Sequence, residues 1–128
     1  MPLLKYLLLT GNFPLDKSHF ITVNKKAFWQ RRNCVAIARM VQQQFQLDPF
    51  TNTLFLFCGR RRDRIKGLYW EKDGFILLYK RLEQGAYQWP RSESEVKTLT
   101  PQQYRWLMEG LKIEQPKAHR PVTGLSAV

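Results

Sequence analysis

Asp73-Gly74, set between two runs of strand-forming residues, is the feature that most restricts how this chain folds. The dipeptide supplies the backbone conformations of a tight two-residue turn. The segments from Ile65 to Glu71 and from Phe75 to Arg81 are therefore expected to pair as an antiparallel hairpin. With those two residues as the turn, Trp70 faces Leu77, Leu68 faces Tyr79 and Lys66 faces Arg81. The aromatic–aliphatic partners suit a packed face.

A hairpin needs something to pack on, and the flanking sequence offers it. From about Ala27 to Gln46 the pattern is helical: Cys34, Ala38, Val41 and Phe45 recur at spacings of four, three and four, with Ile37 beside them. Asp48-Pro49 bars continuation of that helix. Thr53 to Cys58 is an apolar run of strand length ended by Gly59, and Phe20 to Val23 is a further short candidate. Tyr87 to Trp89 and Val96 to Leu99 are shorter ones. Near the end, Thr100 can cap a helix, Pro101 suits its first position and Gln103 completes a capping box. Tyr104, Leu107, Met108 and Leu111 then form one apolar stripe, and Gly110 marks termination. The expected fold class is α+β: a mainly antiparallel sheet of four or five strands, flanked by an N-terminal and a C-terminal helix. One domain accounts for the 128 residues. Residues 1–34 are a divergent N-terminal segment of it, 35–114 its core and 115–128 a basic, flexible tail.

The hairpin also determines where charge collects. Lys and Arg number 21 against 10 Asp and Glu, a net charge of +11, and such a surplus calls for a polyanionic partner. The densest run is Gly59-Arg60-Arg61-Arg62-Asp63-Arg64-Ile65-Lys66. With the turn at one tip, Lys66, Lys80 and Arg81 fall at the other end, where the arginine-rich connection opens. Arg60, Arg61, Arg62, Arg64, Lys66, Lys80 and Arg81 are expected to converge there and contact nucleic-acid phosphates, with Arg31 and Arg32 as weaker candidates. Neutralising about five phosphates gives a log–log salt slope near −4 to −5. The alternative is a solvated loop that keeps a sheet edge from pairing. Among Tyr69, Trp70, Tyr79, Tyr87 and Trp89, strand periodicity favours core packing over base stacking, with Trp89, before Pro90, as the expected outward exception.

Catalytic chemistry finds no support. The ten acids do not fall in a pattern that would hold two metal ions, since Asp48 and Asp73 serve turns and Asp63 sits among arginines. His19 and His119 lie near opposite ends of the chain and neither forms a metal-spacing pair with Cys34 or Cys58. No phosphate-cradling glycine loop or nucleophile elbow is present. The expectation is a protein that is not an enzyme, with no catalytic, metal or cofactor site. The apolar opening at Met1–Leu9 is short and interrupted and no segment has spanning length, so a cytoplasmic protein without a membrane partner is expected.

A chain of short segments carries a family resemblance. It begins at Gln44-Phe45-Gln46-Leu47-Asp48-Pro49-Phe50 and Leu54-Phe55-Leu56-Phe57-Cys58-Gly59-Arg60-Arg61. It continues through Asp63-Arg64-Ile65-Lys66-Gly67-Leu68-Tyr69-Trp70, Gly74 to Leu82, Gln88-Trp89-Pro90, Leu99 to Gln103 and Leu107-Met108-Glu109-Gly110. Over about residues 35–122 the sequence closely resembles the Orf2-like TnpB accessory protein of the insertion-sequence-sixty-six class, which is unrelated to the RNA-guided nuclease of the same name. The resemblance implies a role in DNA transposition beside a separate transposase that carries the acidic catalytic residues. DNA and that transposase are the implied partners. The alternative function is an adaptor that holds the transposase with no direct DNA contact. Where the family has a Thr-Asp-Met-Arg-Lys-like motif before its first helix, Phe28-Trp29-Gln30-Arg31-Arg32 stands here, keeping two basic residues and losing the acid.

Overall fold

The structure, a computed structural model, describes residues 19–24, 29, 33–90, 96–120 and 122–126. Arg31 and Arg32 lie outside the described residues. Among the described residues, five strands form one sheet: β1 (His19–Val23), β2 (Thr53–Cys58), β3 (Arg64–Glu71), β4 (Gly74–Arg81) and β5 (Val96–Leu99), in the spatial order β4-β3-β2-β1-β5. Helix α1 spans Cys34–Phe45 and helix α2 spans Pro101–Met108. The class is α+β as expected, but the sheet is mixed. β1 runs parallel to β2, while the other three pairings are antiparallel. Two neighbouring parallel strands cannot be joined by a hairpin, so α1 lies between them in the chain as the crossover and does not precede the sheet.

Strand alternation divides the core into two layers. Phe20, Leu54, Leu56, Ile65, Tyr69, Leu78 and Leu99 face α2, where Tyr104 and Leu107 cover them together with Tyr87, Trp89 and Ile113. Val23, Phe55, Phe57 and Leu68 face α1 and meet Ile37, Ala38 and Val41. β2 is buried on both sides, which explains why its sequence is a continuous apolar run without alternation. On β3, Gly67 leaves room for the neighbouring strand's side chains: a Cβ there would stand 3.0 Å from Leu54 Cδ1.

The helix ends follow local chemistry. Asn33 accepts hydrogen bonds from the Val35 and Ala36 amides at 2.8 and 3.4 Å and so opens α1. Helix α1 therefore starts at Cys34, and of the earlier part of the expected span, from Ala27 to Arg32, all but Trp29 lies outside the described residues. Gln46, in the left-handed region at φ 52°, closes it ahead of Asp48-Pro49. At α2 the capping box forms in full: the Gln103 amide donates to Thr100 Oγ1 at 3.1 Å and the Thr100 amide donates to Gln103 Oε1 at 3.0 Å. Phe20 stacks on Tyr104 with centroids 4.2 Å apart, docking α2 on β1. Leu111, expected in the apolar stripe, lies beyond the helix end and is exposed, because Gly110 turns the chain at φ 83°.

The hairpin forms with a different turn. Glu71 pairs with Gly74, leaving Lys72 and Asp73 at the tip, and the positive φ of 48° falls on Lys72. Pairing therefore joins Trp70 to Phe75, Leu68 to Leu77, Lys66 to Tyr79 and Arg64 to Arg81. The physical gain lies in Trp70 and Phe75, which meet edge-on at 5.0 Å with Phe50 packed at 5.0 and 5.2 Å from them. Each partner moves by two positions, so every side chain keeps its face.

Two substitutions test this packing. Leu107→Ala, at a fully buried position, is expected to lower the unfolding free energy by about 2–5 kcal/mol. Thr100→Ala, which removes the cap, is expected to cost about 1 kcal/mol. Urea denaturation reads both, and a Leu107→Ala effect no larger than the cap's would mean that α2 is not docked on the sheet.

Candidate nucleic-acid interface

The loop from Gly59 to Asp63 joins β2 to β3 at the end of the sheet opposite the Lys72–Asp73 tip. Its shape is built from backbone hydrogen bonds. The Gly59 amide donates to Arg64 O at 2.9 Å and the Arg62 amide to Gly59 O at 3.0 Å, with Arg62 in the left-handed region at φ 60°. The loop is then tied to the chain leaving β4, where the Leu82 amide donates to Asp63 O at 2.6 Å and the Tyr87 amide to Arg62 O at 2.7 Å. Gly59 is needed for close approach, because a Cβ there would lie 2.6 Å from Arg64 Cγ and 3.0 Å from Trp29 Cζ2.

The seven predicted cations share this end but not one environment. Arg60 and Arg61 are exposed on the loop, and Arg81 is exposed opposite Arg64. Arg64 is half-buried and its Nε donates to Asp63 Oδ1 at 3.0 Å. That hydrogen bond holds the Asp63 carboxyl below its ordinary range and raises the Arg64 guanidinium. Lys66 is committed elsewhere: its Nζ donates to Trp29 O at 2.9 Å and lies 4.6 Å from the centroid of the Trp29 ring, which itself sits 6.2 Å from Tyr79.

The expectation for Lys80 needs correction. It pairs with Ile65 and so points to the α2 side, whereas Arg64, Lys66 and Arg81 occupy the α1 side. Strand alternation makes that separation unavoidable. Burial lowers the Lys80 pKa. Arg62 also departs from the cluster, lining a groove on the α2 side with Trp89, Lys97, Lys112, Ile113 and Glu114.

The aromatic expectations divide similarly. Tyr69 and Tyr87 are buried, and Trp70 and Tyr79 are half-buried. Trp89, expected outward, is 8% exposed because it belongs to the α2-side core; its segment is not a strand. Sequence reading missed Trp29 as the residue that holds Lys66, a contact across 37 positions with no local signal. It also missed Lys97 and Lys112 as companions of Arg62. Alternation from Leu99 could have placed Lys97 on that side, but nothing local brings Lys112 near it.

Beneath the loop, Cys58 packs against the α2-side core, and burial raises its pKa from 9.0 to about 11. Both cysteines are free. Among the described residues no group of three or more His, Cys, Asp or Glu is placed to hold a metal ion, and no helix is long and apolar enough to cross a membrane.

Three comparisons with known proteins bear on this geometry. The family described as IS66 Orf2 like protein matches residues 15–118, a span that includes β1, α1 and the whole loop end. The Sinorhizobium fredii (strain NBRC 101917 / NGR234) protein y4hO, named only as uncharacterized, is 30% identical over 82 residues, covering 64% of this chain and 71% of its own. Another from the same organism, y4jC, also named as uncharacterized, is 28% identical over 94 residues, covering 71% of this chain and 80% of its own. No solved structure gives a significant match.

The raised Cys58 pKa has a measurable consequence. Well below pH 9 the thiol is almost wholly protonated in both states. As pH rises from 9.0 toward 11, only the unfolded chain ionises, so this group's contribution to stability is lost across that window. In a Cys34→Ser background, iodoacetamide at pH 8 should label the folded protein roughly a hundred-fold more slowly than the unfolded one, matching the thiolate ratio. Equal rates would show that the loop leaves the thiol open to water.

Proposed function

We propose that this chain, which belongs to the IS66 Orf2-like family of insertion-sequence proteins, supports DNA transposition by binding DNA through the loop end of its sheet. The carrying observation is the exposed trio Arg60, Arg61 and Arg81, set at one end of the molecule where the acid of the loop, Asp63, is engaged by Arg64. Guanidinium forks on a backbone-anchored loop can each take a phosphate in bidentate fashion, and the net charge of +11 draws the polyanion from a distance. Arg64 supports the loop through Asp63, and Lys66 braces Trp29. These two therefore contribute less to phosphate contact than the exposed three. Accessory DNA binding needs no catalytic group, and the chemistry of strand transfer is left to the element's transposase.

A second reading, the transposase adaptor, is favoured by a separate observation. At the opposite end of the hairpin Phe50 is 53% exposed and packs on Trp70 and Phe75, leaving an aromatic surface of the kind that anchors protein interfaces. The two readings use opposite ends of the molecule and are compatible.

Salt-titrated fluorescence anisotropy on duplex DNA tests the first. The Arg60→Gln/Arg61→Gln variant is expected to bind more weakly and to flatten the log–log salt slope by about 2, from two lost phosphate contacts. Lys66→Gln is expected to change the slope much less, because its ammonium is already held by Trp29. An unchanged slope in the arginine variant would remove the loop from the interface. Phe50→Ser, by contrast, is expected to leave DNA binding intact and to weaken retention of the transposase in a nuclease-treated, high-salt pull-down.

A further inference from the structure

The groove that receives Arg62 is distinct from the loop surface that faces outward with Arg60 and Arg61. It has a volume of about 400 Å³ and opens on the α2 side of the sheet. Among the described residues, three further segments build it together with Arg62. β5 contributes Lys97, on the same face as the core residue Leu99. The chain after α2 contributes Lys112, Ile113 and Glu114, and is fixed there by Gln103 Nε2 donating to Ile113 O at 3.3 Å. The segment after β4 contributes Trp89, held beside the loop by the Tyr87 amide's bond to Arg62 O.

Its chemistry is composite. Among the described residues that line it, Arg62, Lys97 and Lys112 supply three positive charges against one carboxylate, Glu114. Lys97 Nζ lies 3.6 Å from Glu114 Oε1, long for a charge-assisted hydrogen bond, and the glutamate side chain is 78% exposed. An exposed pair of this kind is weak enough for an incoming anion to displace the carboxylate. Trp89 and Ile113, both mostly buried, give the groove an apolar floor. A phosphate alone would leave most of this volume unfilled. The space falls in the range of sites that enclose a small molecule carrying both apolar and charged parts.

We infer that this groove is a subsite for one unpaired nucleotide of a single-stranded nucleic acid, its phosphate held by Arg62, Lys97 and Lys112 and its base and sugar set against Trp89 and Ile113. This rests on the nucleic-acid reading above and extends it to a second surface. Arg62 stands in the same loop as Arg60 and Arg61, so a strand leaving a duplex bound at the loop has a short path into the groove. Glu114 competes for Lys97 and lowers affinity for the anion.

The test titrates an oligo-dT hexamer, an oligo-U hexamer, inorganic phosphate and a hexaglutamate peptide into the full chain, following the Trp89 indole N–H signal by NMR. The two hexamers separate DNA from RNA as the source of the strand. The Lys97→Gln/Lys112→Gln variant is expected to weaken hexamer binding roughly tenfold or more, the loss of charge-assisted contacts, while keeping duplex binding. Glu114→Gln is expected to tighten hexamer binding by about two- to fivefold through relief of that competition. Arg60→Gln/Arg61→Gln should weaken duplex binding and leave the hexamer's Trp89 response in place, so failure of the loop and failure of the groove are told apart. An unmoved Trp89 signal would overturn the inference, as would equal binding of inorganic phosphate or hexaglutamate, or a Lys97→Gln/Lys112→Gln variant that binds the hexamers normally.

Discussion

Burial of β2 on both faces is the constraint on which the rest of the structure depends. Five consecutive residues from Thr53 to Phe57 are inaccessible, and neither face can be left to water. Each face therefore requires a covering layer, α1 on one side and α2 with the 87–89 segment and Ile113 on the other. Both edges of β2 also need partners, because its backbone groups cannot be solvated once the side chains are covered. β3 pairs along one edge and β1 along the other, and the parallel sense of β1 makes α1 the connection between them.

That central strand also explains how the loop holds its shape. Cys58 ends β2 in the α2-side core, and the chain turns at Gly59 beneath the Arg64 side chain. The following arginines are then carried on backbone hydrogen bonds to β3 and to the chain leaving β4. A loop anchored in this way presents cations with little ordering left to do on binding. The charges are not equivalent, however. Trp29 and Asp63 take up Lys66 and Arg64, so the exposed potential at this end comes from fewer side chains than a count of basic residues suggests.

The molecule consequently has contrasting ends. Around the Lys72–Asp73 tip an aromatic trio is only partly covered, and at the other end guanidinium groups face solvent. The groove under Arg62 adds a third surface, and it arises because the loop touches the same segment that roofs the α2-side core.

Local physics made several features legible in the sequence. Thr100, Pro101 and Gln103 specify the start of α2 by themselves, because a capping box is satisfied within four residues. Asp73-Gly74 announced the hairpin, and the shift of the turn to Lys72–Asp73 moved each partner by two positions, which left the two alternating sets of side chains unmixed. The tertiary structure alone decided the exact turn, since the aromatic contacts of Trp70, Phe75 and Phe50 outweighed the dipeptide's preference. It also decided the parallel pairing of β1, the capture of Lys66 by Trp29 and the meeting of Arg62 with Lys97 and Lys112. Those contacts join positions far apart in the chain, and no short-range propensity encodes which distant segments a buried strand will bring together.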